Sequence, residues 1–216
     1  MAVSDDLKVY DADLEAPFTW LVAGPSGSGK TVHVVKGLRT HVNPRVEHTY
    51  WFYGVWSAMY DQMSKELPIT FTKGLPDSNF PNTLDTSKNL VIVFDDLMQE
   101  VTKASAMVSS YFTRGSHHLN VSVVLIVQNL FAKNLREIRL NTRYLSLFSI
   151  PNDLKSVKAF ASQITDSPTA AQNFLAVYKD ATSMPFEPLF IDFRGGEDMK
   201  FRSKVFEFDH QYVYTI

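Results

Sequence analysis

Eight residues limit this chain more than any other stretch: Gly24, Pro25, Ser26, Gly27, Ser28, Gly29, Lys30 and Thr31, read as GPSGSGKT. They follow a short apolar run, FTWLVA at 18–23, and lead into a helix-forming segment at 30–40. The spacing G-x-x-x-x-G-K-[ST] is met in full. A strand that turns through such a loop into a helix wraps backbone N–H groups around the phosphates of a nucleotide. Gly24, Gly27 and Gly29 give the backbone the angles and the close approach that wrapping needs. Lys30 is placed to reach the β- and γ-phosphates, and the Thr31 hydroxyl to hold Mg²⁺. The helix points its positive end at the same phosphates. A Gly/Ser-rich surface turn is the competing reading, and it accounts for neither the full spacing nor the strand and helix on either side.

The rest of the chain sets bounds. At 216 residues it is long enough for one domain with a full core. Net charge is −2, so any contact with a polyanion needs a local basic patch or several subunits acting together. The absence of cysteine excludes disulfides and thiolate metal sites. The acidic first residues lack the apolar stretch of a signal peptide, and no apolar run approaches a membrane span, so no membrane partner is expected. Residues 1–16 read as an N-terminal arm and 17–216 as the nucleotide-binding domain.

Apolar runs separated by helical stretches recur along that domain. Strands are expected at 17–23, 48–54, 89–97, 121–129 and 143–150, with PLFIDFR and KVFEFD closing the chain. Helices are expected near 57–66, from 98 to about 113, and over 153–163 and 167–180. Near-continuous Val/Ile/Leu/Phe strands between helices imply a mainly parallel sheet covered on both faces, a three-layer α/β domain. Ligands in such sheets lie at the carboxyl ends of the strands. Gly24, Asp95, Asp96 and Gln128 all fall there.

NLVIVFDDL ends its apolar run on Asp95 and Asp96. Beside a phosphate loop, an acid in the first position holds Mg²⁺ and a second can polarise an attacking water. Asp95 is assigned to the metal and Asp96 to the water; a solvated strand end or a helix N-cap is the alternative. Asp96 is one methylene shorter than the Glu often used in that role. Gln128 ends the next apolar run and is placed to sense the γ-phosphate or the water, or is simply a strand terminus.

Together GPSGSGKT, VIVFDDL, YFTRGSHHLNVSVVLIVQN and RYLSLF resemble the FtsK/HerA branch of RecA-like P-loop ATPases. They look most like the DNA-packaging ATPases of Polinton (Maverick) elements and adintovirus-like viruses, cousins of the poxvirus packaging ATPase. FDDL through FTRGSHHLNVSVVLIVQNLF and DATSMPFEPLFIDF are the specific parts, and the similarity runs over about residues 17–195. The resemblance implies an ATP- and Mg²⁺-dependent motor that threads double-stranded DNA into a preformed viral capsid. It implies a homo-oligomeric ring, pentameric or hexameric, partnered by capsid vertex proteins. It also implies work at the assembly site in the host nucleus or cytoplasm, or association with the virion. By the same resemblance Lys30 and Thr31 bind ATP·Mg²⁺, and Arg114 is the arginine that branch places before the sensor strand. Arg114 sits ahead of its own strand's amino end, away from its own nucleotide, and could reach a neighbour's in a head-to-tail ring. A helix-capping arginine is the alternative; Arg139 and Arg143 compete for the finger role.

Lys133, Arg136, Arg139 and Arg143 form the best local basic patch for sequence-independent phosphate contact, against a reading as a solvated helix face. The aromatics Trp51, Phe52, Tyr53 and Trp56 read as packing more readily than as a base-stacking platform. His117 and His118 have no cysteine or nearby acid and make a poor metal site. Two other functions share the phosphate loop. A small-molecule kinase needs a lid with clustered arginines, which the sequence lacks. A non-hydrolysing assembly factor needs none of the acids. A GTPase would carry N-K-x-D, and none is present.

Overall fold

The computed structural model describes residues 14–115, 119–132, 135–196, 199–207 and 211–216. In chain order the strands are β1 (Leu14–Glu15), β2 (Thr19–Ala23), β3 (Val42–Asn43), β4 (His48–Tyr53), β5 (Ile69–Lys73), β6 (Leu90–Asp95), β7 (Val121–Val127), β8 (Tyr144–Leu147), β9 (Leu189–Asp192), β10 (Phe201–Ser203) and β11 (Tyr212–Tyr214). The helices are α1 (Lys30–Thr40), α2 (Met59–Glu66), α3 (Met98–Lys103), α4 (Ser105–Ser110), α5 (Arg136–Leu140), α6 (Leu154–Ile164) and α7 (Pro168–Ala181). A wider π-turn, Tyr111–Gly115, follows α4.

Nine strands form one sheet in the order β11-β10-β9-β8-β2-β7-β6-β4-β5. The run from β8 to β5 is parallel, and β9, β10 and β11 extend it antiparallel. The parallel strands are buried on both faces, which is why they read as unbroken apolar runs. Alternate residues divide between two cores. Leu21, Ile92, Phe94 and Leu125 face one side with Phe160 and Phe174 of α6 and α7. Trp20, Val22, Val93 and Ile126 face the other with Val34 and Leu38 of α1 and Tyr60 and Met63 of α2. Local chemistry fixes the helix starts. The Asp153 carboxylate accepts from Ser156 N, 3.2 Å, ahead of α6. Ser167 Oγ accepts from Ala170 N, 3.1 Å, ahead of α7, which opens on Pro168.

The three-layer α/β arrangement expected from the sequence is present, with differences in detail. The spacing from Lys30 to Asp95 leaves room for the 48–54 strand between the loop strand and the acid strand, but that strand lies beyond the acid strand in space. The strand that separates β2 from β6 is β7. Leu14–Glu15, at the end of the N-terminal arm, pairs in parallel with Val42–Asn43, and Leu14 is fully buried. The described part of KVFEFD, 204–207, is not a strand, because Val205 and Phe206 turn inward to pack in the core that holds Trp20; residues 208–209 lie outside the described residues, and the sheet is closed by Phe201–Ser203 and Tyr212–Tyr214. Among the described residues no helix is long and apolar enough to cross a membrane.

Candidate active site

The phosphate loop begins where β2 ends. Gly24 N donates to Val127 O at 3.2 Å, which ties the loop to the end of β7. Gly27 and Gly29 take left-handed φ values of 77° and 91°, conformations a side chain would strain. Gly29 is the residue that starts α1; no side chain caps that helix and its first turn holds no acid. Its first N–H groups and its positive end are left to an anion. Lys30 Nζ donates to Pro25 O, 2.7 Å, drawing the side chain across the loop. Burial lowers the Lys30 pKa, while Asp95 and Asp96 pull it upward.

Asp95 ends β6 and is 5% exposed. Two donors meet at one of its oxygens: Tyr60 Oη donates to Oδ2 at 3.0 Å and Thr31 Oγ1 at 3.3 Å. Burial nevertheless wins and pushes the carboxyl above its ordinary range; the two hydrogen bonds oppose it and Asp96 adds to it. A buried carboxylate in that condition is stabilised as the anion by a cation. The hydroxyl of Thr31 and the carboxylate of Asp95 are the hard oxygen donors that Mg²⁺ prefers. The donor set therefore fits ATP·Mg²⁺: a glycine nest, a lysine, an uncapped helix start, and a paired hydroxyl and carboxylate.

Asp96 stands just beyond the strand, exposed, with a left-handed φ of 53°. Its backbone is held from beneath by Gly54. A Cβ on Gly54 would collide with the Asp96 carbonyl oxygen, and Gly54 N donates to Asp95 O at 3.1 Å. Gln128 Nε2 approaches Asp96 Oδ1 at 3.4 Å. The end of β7 and the end of β6 thus present an amide and an exposed carboxylate side by side. Such a pair can hold and polarise a water molecule.

Lys30, Thr31, Asp95, Asp96 and Gln128 line a cleft of about 820 Å³, together with Ser26, Gly27, Gly29, Trp56 and Tyr60. Gly24, Pro25 and Ser28 lie outside its walls; Gly24 is buried, and Ser28 Oγ is buried without a partner. Arg114 belongs to the π-turn before β7, and its side chain lies outside the described residues. The competing arginines are held within the chain. Arg143 pairs with Glu15 at 2.5 Å and Asp192 at 3.8 Å and lies over the Tyr144 ring. Arg139 Nη1 donates to Leu130 O at 2.8 Å. The expected basic patch is accordingly reduced: Arg139 and Arg143 are half-buried and engaged by their own chain, Lys133 lies outside the described residues, and Arg136 is exposed. His117 and His118 also lie outside the described residues.

Tyr60 and Gly54 are the site residues that sequence reasoning missed. Tyr60 shares the inner face of a short helix with Met63, a spacing that signals core packing and not a contact with Asp95. Its ring stacks on Phe71 at 4.9 Å and meets Trp56 edge-on. Gly54 closes an aromatic strand, and a glycine at a strand end signals close backbone approach only in general terms.

A parallel sheet with one strand between the loop strand and the acid strand, and a phosphate loop at its carboxyl rim, is the fold of the RecA-like P-loop ATPases. Among solved structures the chain is similar to the DNA-packaging ATPase B204 of Sulfolobus turreted icosahedral virus, with a TM-score of 0.53 and 16% identity, covering 83% of this chain and 94% of that one. It is also similar to the genome packaging NTPase B204 of Sulfolobus turreted icosahedral virus 2 in complex with ATP-γS, with a TM-score of 0.51 and 15% identity, covering 82% and 92%. Among curated proteins it is similar to the DNA packaging protein OPG160 of Variola virus, 27% identical over 134 residues, which are 53% of this chain and 47% of that protein. The chain spans about half the length of the curated relatives it matches. No protein-family model matches it.

Proposed function

We propose that this chain is an ATP-hydrolysing motor that moves double-stranded DNA into a viral capsid. The observation that carries the reading is the hydrogen bond from Thr31 to Asp95, with Asp96 and Gln128 paired in the same cleft. Similarity to DNA packaging proteins of poxviruses supports the DNA-packaging part. The resemblance of FDDL through FTRGSHHLNVSVVLIVQNLF supports a relation to the Polinton and adintovirus-like packaging ATPases.

In this reading the loop amides and Lys30 hold the β- and γ-phosphates, and Thr31 and Asp95 hold Mg²⁺. Held by Thr31 and Asp95, Mg²⁺ would supply positive charge against the charge that develops on the transferring phosphoryl group. Asp96 takes the proton of the attacking water, and Gln128 orients that water. Arg114 serves the neighbouring subunit's nucleotide in a head-to-tail ring of five or six copies. Capsid vertex proteins anchor the ring at the assembly site, in the host nucleus or cytoplasm or on the virion, and DNA phosphates are gripped without regard to sequence.

The test is phosphate release from ATP by purified chain, with and without double-stranded DNA. Release that DNA raises and Lys30→Ala abolishes is the expected result. Phosphate appearing on an added nucleoside or metabolite would mark a kinase instead. Binding and assembly without release would mark a non-hydrolysing factor.

A further inference from the structure

Phe186 stands in the segment DATSMPFEPLFIDF, which the hydrolysis chemistry above leaves without a role. It occupies a tight turn in which Glu187 N donates to Met184 O at 3.4 Å, with Pro185 second and Phe186 third. Its φ is +69°, at a turn position that ordinarily takes glycine. Its side chain is 67% exposed. A large ring in a left-handed conformation, set out in solvent, is unfavourable twice over. Such strain is retained where a site uses it.

The ring does have a definite place. Its atoms lie 3.1 to 3.6 Å from where a Cβ on Gly29 would stand, so it rests against the phosphate loop at the start of α1. It lines the same cleft as Lys30 and Asp96. The sheet order sets which end. Going one way from β2, two strands over, is β6 with the acids; going the other way, two strands over, is β9, which Phe186 leads into. Lys30, Thr31 and Asp95 fix the γ-phosphate toward β6. The remainder of a nucleotide then runs toward β9, past Val32, which is 47% exposed on the first turn of α1.

We propose that Phe186 is the platform on which the base of the bound nucleoside triphosphate stacks. This rests on the nucleotide-binding reading above. Stacking on an exposed ring is tolerant of base identity, so the platform itself does not select one base over another. Glycine at the same position would relieve the backbone and lose the contact.

Binding of Mg²⁺-ATP and of Mg²⁺-tripolyphosphate, which has no base, separates the possibilities. With Phe186→Ala we expect affinity for ATP to fall about tenfold, the scale of one base–aromatic stack, and affinity for tripolyphosphate to stay unchanged. Phe186→Tyr should keep ATP affinity. Phe186→Gly should lose it while raising the melting temperature. Equal loss for both ligands, loss for neither, or an ATP-specific loss in Trp56→Ala and not in Phe186→Ala overturns the assignment. If the native chain binds neither ligand, the nucleotide reading itself falls and the platform with it.

Discussion

Tyr60 Oη and Thr31 Oγ1 converge on a single oxygen of Asp95, at 3.0 and 3.3 Å. Thr31 belongs to the phosphate loop, whereas Tyr60 comes from a helix on the far side of the acid strand. The carboxylate is therefore oriented from two different helices, which an Arg39–Glu66 ion pair also joins at 3.1 Å. The Tyr60 ring is fixed in turn by Phe71, Trp56 and Trp51.

Removing only that hydroxyl should loosen Asp95 and spare the packing. Tyr60→Phe is expected to raise the Mg²⁺ concentration needed for half-maximal hydrolysis, or to lower kcat, by about tenfold, the usual range for groups that orient a metal ligand. Its melting temperature should stay within a few degrees of the native value, since the ring contacts remain. A Mg²⁺ titration of ATPase activity together with a thermal melt checks both parts.

Gly54→Ala should separate binding from hydrolysis. The new methyl meets the Asp96 carbonyl oxygen, and the backbone there already holds a left-handed φ with little room to yield. Asp96 must move, while the loop that grips phosphate is untouched. Hydrolysis is expected to fall by about 10- to 100-fold, the scale of a misplaced catalytic group, with ATP affinity nearly unchanged. Single-turnover hydrolysis beside equilibrium ATP binding gives the comparison.

Arg114 can be tested against its competitors by mixing subunits. Arg114→Ala chains and Asp96→Asn chains are each expected to be inactive. If Arg114 acts across the interface, mixed rings regain hydrolysis at sites where an intact Asp96 faces an intact Arg114. No recovery at any ratio counts against it. Arg143→Ala should instead lower stability in every subunit, because its guanidinium pairs with Glu15 and Asp192 of its own chain.

His33 makes stability depend on pH. It is buried behind the phosphate loop, with Nε2 2.9 Å from Ser146 Oγ, and burial lowers its pKa from 6.5 to about 3. The unfolded chain takes up this proton first on acidification, so stability is full above about pH 6.5 and declines as pH falls toward 3. From neutral to about pH 4 the loss due to this group is about 3 kcal/mol. Urea midpoints measured over that range should fall in the native chain and fall less in His33→Gln.

The loop and the acids were legible because their chemistry is written in neighbours. GPSGSGKT needs only its own eight residues, and Asp95 and Asp96 stand at the end of a run whose burial is visible in its composition. The sheet order was not legible in the same way. A parallel ladder joins strands far apart in the chain, and nothing in VSVVLIV says that it inserts between β2 and β6. Tyr60 lies 35 residues from Asp95, and Glu15 lies 128 from Arg143. Such pairs are set by the closing of the fold and leave no local pattern. Val205 and Phe206 look like strand residues for the same reason. Their apolar character is real, but their partners across the core decide that they turn inward.

Because β7 is hydrogen-bonded along its length to both β2 and β6, the phosphate loop and the acid pair are riveted to one slab. Sliding either past the other would shear two ladders at once. In the proposed motor, work drawn from this site would therefore have to leave it through the loops at the rim of the slab, where Val55 to Ser57, Gln128 and the Phe186 turn line the cleft, and the sheet would serve as the anvil.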